Sequence, residues 1–334
     1  MIHTRLHQPR PRVLLDPLAR VLARLPAPVE ERIRQRLGLD LFIVVAAVVV
    51  FLRLAAVPVW TPGLLDMHTY WATRDGFDYA TSNPYLIGAY LYAPVFAQVL
   101  YPLTALPWPV FAATWTAAIS LAVIWLVGRW SFPVLLFSGA LALELYLGQI
   151  DVFIAAAVVI GFRYPAVWAF PLLTKVAPGI GLLWFLFRRE WRNLGVAVAA
   201  TVAIAAVSAW LTPALWHDWY DLLRRSVTDR QVVEGAYLAI PVWARLPFAV
   251  GIIFWGARTN RHWTVPIGIL LAMPILWLNV FTLLIAVIPL REEAGLTPAR
   301  AWLLRERVLP TPEGLAGGAT GTRRSKPRTV PQTG

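Results

Sequence analysis

Residues 166–187 read Ala-Val-Trp-Ala-Phe-Pro-Leu-Leu-Thr-Lys-Val-Ala-Pro-Gly-Ile-Gly-Leu-Leu-Trp-Phe-Leu-Phe, an apolar run with a single charge, Lys175, near its middle. Crossing a hydrocarbon core of roughly 30 Å takes about 20 such residues, so the stretch predicts a membrane span. The basic run Arg188-Arg189-Glu190-Trp191-Arg192 closes it. An ionised side chain at the centre of a span costs roughly 2.5–3.5 kcal/mol on insertion scales. Apolar-rich sequence flanks Lys175 on both sides, leaving it too far from either end to snorkel. It is also one of only two lysines, beside Lys326, in a chain otherwise charged by arginine. Two readings follow: a structural ion pair with Glu144 or Asp151, or a cation held ready for a phosphate.

Outward from this stretch the same composition continues. The chain has 334 residues, 58% hydrophobic and 14% charged. A soluble domain carries about 25% charged residues, so a water-soluble enzyme is excluded, and the apolar content excludes a disordered chain. The absence of cysteine excludes disulfides and thiolate metal sites. Apolar runs occur at 41–57, 93–106, 109–128, 132–147, 150–162, 166–187, 194–211, 236–256, 264–273 and 275–290. The expectation is an all-α polytopic membrane protein, a bundle of about ten transmembrane helices with an extended first external loop. The runs 93–106 and 150–162 are short enough for half-spans, which lipid tolerates only inside protein or along a cavity. The last two runs count separately only if the chain breaks near Met273-Pro274.

Charge orients the array. Residues 1–38 hold eight arginines against Asp16, Glu30 and Glu31, and the tail after Leu290 holds seven arginines and Lys326 against four glutamates. By the positive-inside rule both ends face the cytoplasm. The net charge of +12 therefore reads as topology rather than as nucleic-acid binding. The connections 58–92 and 212–235 carry more acid and belong outside. The chain thus divides into a basic, amphipathic cytoplasmic segment (1–38), a membrane domain (39–290), and a basic tail of disordered composition (291–334).

A long external connection asks for a reason. Residues 58–92 combine Asp66, His68, Tyr70, Trp71, Tyr85 and Tyr92 with Asp75 and Asp78. Aromatic faces stack on sugars and carboxylates engage hydroxyls; an interfacial aromatic belt is the plainer account of the same residues. Asp66 follows the first run closely and is the carboxylate best tethered to act as a base. Arg245, between Pro241 and Pro247, carries the same two readings as Lys175. The five histidines show no zinc spacing, and no phosphate-cradling glycine loop or serine elbow occurs.

The order of these signals resembles glycosyltransferase family 87, membrane enzymes of the GT-C class. The resemblance rests on Asp66 and Tyr70, Asn83-Pro84-Tyr85, Tyr92-Ala93-Pro94, Leu106-Pro107, Gly148-Gln149-Ile150-Asp151 and Lys175-Val176-Ala177-Pro178. The family more often has Tyr-Pro-Pro at 92–94, Asn at 151, Thr at 177, and Ser-Trp followed by His where this chain has Pro274 to Asn279. The resemblance implies a polyprenyl-phosphate sugar donor, a glycolipid or glycan acceptor, and an inverting transfer of a hexose, mannose by family weight. Asp66 is then the general base, with Lys175 and Arg245 on the donor phosphate. His68, Tyr70, Trp71, Tyr85, Tyr92, Gln149, Asp151 and Asn279 line the sugar and acceptor sites. The expected location is the cell membrane, with the active site on its outer face and membrane lipids as neighbours. No cofactor is expected, a divalent metal on Asp66, Asp75 and Asp78 being the less favoured arrangement. The alternative function is a transporter or flippase for a lipid-linked or anionic solute, favoured by the proline-broken runs and disfavoured by the lack of an internal repeat.

Overall fold

The computed structural model describes residues 65–76, 79, 90–228, 237–238, 240–291 and 299. The expected first span at 41–57, the leader 1–38, nearly all of the tail, Asp78 and Tyr85 lie outside these residues.

The fold is helical. In chain order it comprises α1 (Leu65–Ala72), α2 (Pro94–Thr104), α3 (Trp108–Val127), α4 (Ser131–Phe137), α5 (Gly139–Leu147) and α6 (Asp151–Gly161). There follow α7 (Ala169–Thr174), α8 (Leu183–Phe187), α9 (Trp191–Leu211), α10 (Pro213–Thr228), α11 (Val242–Thr259), α12 (Thr264–Ala272) and α13 (Val287–Leu290). Prolines at the first helical turns start α2 and α3, where the missing N–H costs nothing. Among the described residues, α3 and α9 are long and apolar enough to cross a membrane. At 1.5 Å per residue each reaches about 30 Å. α9 leaves Val198, Val202, Val207 and Trp210 exposed around much of its circumference, as a helix facing lipid does.

The structure departs from ten separate rods. The runs 132–147 and 150–162 form a V: α5 and α6 are bent by 110° about residues 148–150, a third span that is broken or re-entrant. The opening stretch 166–187 is broken as well. After α7 the backbone is extended at Lys175 (φ −132°, ψ 118°) and resumes as a 3₁₀ turn over Ala177–Leu182 before α8. The cause is Pro178, which has no N–H for the Thr174 carbonyl and whose ring would collide with it. At the far end α12 stops at Ala272, and Met273 is extended ahead of Pro274, as the residue before a proline prefers. Leu276–Trp277 (β2) then pairs antiparallel with Tyr237–Leu238 (β1), and a 3₁₀ segment, Leu278–Ala286, leads into α13.

The connection after α9 is mostly one amphipathic helix, α10. Its apolar side carries Leu215, Trp216, Trp219 and Leu222, and it turns that side to protein. Leu222 is buried, Trp216 Nε1 donates to Ser208 Oγ (2.9 Å), and Trp219 Nε1 donates to the Leu91 carbonyl (3.1 Å). His217, Asp218 and Asp221 cluster on the other side. One continuous apolar core, with Tyr70, Phe111, Trp168 and Trp184 fully buried, joins the pieces.

Candidate active site

The apex of the V sits against α1, and a glycine makes the approach possible. Gly148 ends α5 in the left-handed region (φ +74°), its N–H bonded to the Glu144 carbonyl, a common helix C-terminus. A Cβ there would lie 2.6 Å from Met67 Cβ, so no larger residue lets α1 come this close. Trp115 Nε1 donates to the Gly148 carbonyl (2.8 Å) and ties the apex to α3.

The next residue, Gln149, lies beside the Asp66 carboxyl, close enough for its side chain to lower that group's pKa. Its Oε1 lies 3.4 Å from the Tyr70 hydroxyl and 3.3 Å from the Tyr92 hydroxyl, and the two hydroxyls are 2.8 Å apart. Since Oε1 accepts on that side, the amide N–H₂ is the end that faces Asp66. Burial pushes the Asp66 carboxyl up to about 6, with the Asp151 charge adding to the rise. The Gln149 hydrogen bond and the Lys175 charge oppose it. Tyr70 and Tyr92 do not present ring faces for stacking. Tyr70 has no exposed surface and is packed by Tyr92, Phe96 and Trp115 at centroid distances of 5.3–5.5 Å. Burial holds both hydroxyls protonated, raising each above the usual tyrosine range.

One residue past Ile150, Asp151 opens α6. It is fully buried, and both its oxygens are engaged. Lys175 Nζ lies 2.6 Å from Oδ1, and Asn279 Nδ2 donates to Oδ2 at 3.1 Å. The ion pair offered as one reading of Lys175 is therefore formed, with Asp151 as the partner. Lys175 keeps 20% of its side chain exposed, while Asp151 has none. Glu144, the other partner considered, instead caps α6: its Oε1 accepts from Val152 N at 3.1 Å. Both carboxylates thus lie at the positive end of the α6 dipole. Asp151 and Asn279, expected among the sugar-lining residues, face each other inside the protein.

The remaining candidates are spread. His68 packs on Trp71 and Trp108 (centroids 5.6 and 5.0 Å), where burial lowers its basicity. Trp71 Nε1 donates to the Leu106 carbonyl (2.8 Å), and Arg74 lies 4.0 Å above its ring. Arg245 is committed to backbone: Nε, Nη1 and Nη2 donate to the carbonyls of Ile240, Leu271 and Pro274 at 2.8, 2.9 and 3.1 Å. That fan of bonds fits a strap across α11, α12 and the Pro274 break, and the expected contact with a donor phosphate finds no support in it. Among the described residues no group of three or more His, Asp or Glu side chains is placed to hold a metal. Asp75 is exposed beside Arg74. Gly148 enters the sequence reading only as a member of the Gly148–Asp151 motif, with no role of its own, and Trp115 does not enter it. The glycine at the end of an apolar helical run was the available signal for the first; nothing local marks the second.

These features define a helical membrane protein whose buried polar groups converge where α1, the apex of the V and the break at Lys175 meet. A model of glycosyltransferase family 87 matches residues 90–305, more than half of the chain, and the chain belongs to that family. It is accordingly a glycosyltransferase, with a sugar donor and an acceptor. No curated protein and no solved structure matches it. The matched stretch takes in Tyr92, Gln149, Asp151, Lys175, Arg245 and Asn279, whereas Asp66, His68, Tyr70, Trp71 and Tyr85 precede it.

Proposed function

We propose that the protein transfers a hexose, mannose by family weight, from a polyprenyl-phosphate donor to a glycolipid or glycan acceptor at the outer face of the cell membrane. In this reading the transmembrane domain is a GT-C-like bundle with the amino terminus in the cytoplasm. The reaction is a single displacement with inversion. The acceptor oxygen attacks the anomeric carbon, Asp66 takes the hydroxyl proton, and the bond to the phosphate breaks with its electron pair leaving on phosphate oxygen. No strong acid is needed for that leaving group. A cation is, and Lys175 supplies it from a position where little water competes. Its pairing with Asp151 holds the ammonium in place before the donor arrives.

The observation that carries the reading is the half-buried Asp66, whose carboxyl titrates near 6 within the electrostatic reach of Lys175. A base works best when its pKa lies near the operating pH. Asp66→Asn should abolish transfer of labelled hexose from a polyprenyl-phosphate donor in membranes, with expression unchanged. In the parent protein transfer should fall about tenfold per pH unit below pH 6, because only the deprotonated carboxylate accepts a proton. Full transfer by the Asn variant, or a rate flat from pH 7.5 to 5, removes Asp66 from the mechanism.

A further inference from the structure

We propose that Gln149 is a positioning residue for Asp66, its amide locked in one orientation by the paired hydroxyls of Tyr70 and Tyr92. The proposal rests on the reading of Asp66 as the base. An amide has two unlike ends, and which end faces a carboxylate decides whether the contact attracts or repels. Here the two hydroxyls stand 2.8 Å from each other, so one donates to the other. The proton left over has Gln149 Oε1 as its acceptor, 3.3–3.4 Å away. With Oε1 so occupied, N–H₂ faces Asp66. Were the amide turned over, an oxygen would meet the carboxylate and the charged form would be repelled. The tyrosines therefore act on the base at second hand. Both are buried, 0% and 7% exposed.

The geometry that holds the amide is independent of the tyrosines. Gln149 N–H bonds the Glu144 carbonyl (3.2 Å), and the neighbouring Gly148 carbonyl is held by Trp115. The backbone at 148–149 is thus anchored to two helices, and only the amide torsion is left for the hydroxyls to fix. The ionisable groups around Asp66 are Lys175 and Asp151, with Glu144 behind the apex, Tyr70 and His68 on its own helix, and Tyr92 ahead of α2. A change confined to Gln149 leaves the charged groups Lys175, Asp151 and Glu144 in place and takes from the Tyr70–Tyr92 pair only its acceptor, Oε1.

The test is the pH profile of hexose transfer by the full-length protein in membranes. Gln149→Leu removes the donor to Asp66 and should move the acid limb up by about one pH unit. The ratio of transfer at pH 6 to transfer at pH 8.5 should then be roughly fivefold lower than in the parent. Gln149→Glu, which sets a second carboxylate beside the first, should move the limb further. Tyr70→Phe with Tyr92→Phe leaves the amide free to turn and should move the limb the same way by less. A limb that stays in place in all three, with any loss appearing equally at every pH, overturns the proposal. If the Leu variant fails to fold, the Glu and double Phe variants still decide it by the same criterion. An inactive Asp66→Asn with an unmoved limb in the Gln149 variants refutes the positioning role alone. An active Asp66→Asn refutes the base itself.

Discussion

Exchanging Lys175 for Met strands a carboxylate. Asp151 has no exposed surface, and its bond to Lys175 Nζ is 2.6 Å; without it, Asn279 at 3.1 Å is the one side-chain donor left to it among the described residues. Removing one partner of a buried pair costs about 3–5 kcal/mol, because the other charge is left uncompensated. Asp151→Asn is milder. The ammonium it abandons is 20% exposed and can take water, and the amide oxygen still accepts a bond, so about 1–2 kcal/mol is expected. Combining the two changes removes both charges, and stability should return to within about 1–2 kcal/mol of the parent. The coupling between the sites is then about 3–5 kcal/mol. Unfolding of the purified protein in nanodiscs, followed by tryptophan fluorescence, reads these values in a double-mutant cycle. The same double variant separates structure from chemistry, since it is folded yet lacks the cation. Its rate of hexose transfer should fall about 10²–10³-fold, the range for losing a charge stabiliser of a transition state. Near-parental transfer by the double variant would show that Lys175 serves the fold only. Additive stabilities would show that the pair is not coupled.

Two further outcomes test the frame around the site. Gly148→Ala combines a left-handed backbone with a Cβ 2.6 Å from Met67 Cβ and Cε, so about 2–4 kcal/mol should be lost. On a Met67→Gly background, which removes both clashing atoms, the same change should cost less than in the parent, and an equal cost on both backgrounds would place the strain elsewhere. Arg245→Met leaves three carbonyls short of a donor and should lower stability by about 3 kcal/mol or more, measured by denaturant unfolding. Arg245→Lys should recover less than half, since an ammonium lacks the planar fork that spans all three; full recovery would argue against the strap.

Much of the fold could be read from sequence because hydrophobic length is a strong signal. The runs 109–128 and 194–211 correspond to α3 and α9 within a few residues. What escaped was how the shorter runs combine. Composition cannot show that 132–147 and 150–162 turn back on each other by 110°, since the bend falls at Gly148, whose left-handed backbone is a local conformation. The helix in 212–235 passed as a loop because its charges hid a clear period in Leu215, Trp216, Trp219 and Leu222. At the site, Asp66, Asp151 and Lys175 stand out in the sequence as rare charges, and Gln149 and Asn279 enter through the family resemblance. The Lys175–Asp151 pair is one of the two pairings the sequence offers; the contacts of Gln149 and Asn279 are not. Asn279 and Asp151 are 128 residues apart, and a contact of that range leaves no local trace. Arg245 adds a second case: an intramembrane charge is a functional candidate by default, and its three backbone acceptors, at Ile240, Leu271 and Pro274, leave no trace in the sequence.

The order of the residues along the chain has a bearing on how the protein is made. Asp151 and Lys175 are only 24 residues apart, so a nascent chain presents them to the lipid almost together. As a neutral pair they spare the inserting segments the roughly 2.5–3.5 kcal/mol that each charge would face alone. The lock from Asn279 arrives only when most of the polypeptide has been synthesised. The Lys175–Asp151 pair can thus form before Asn279 has been made, and the second oxygen of Asp151 gains its partner last.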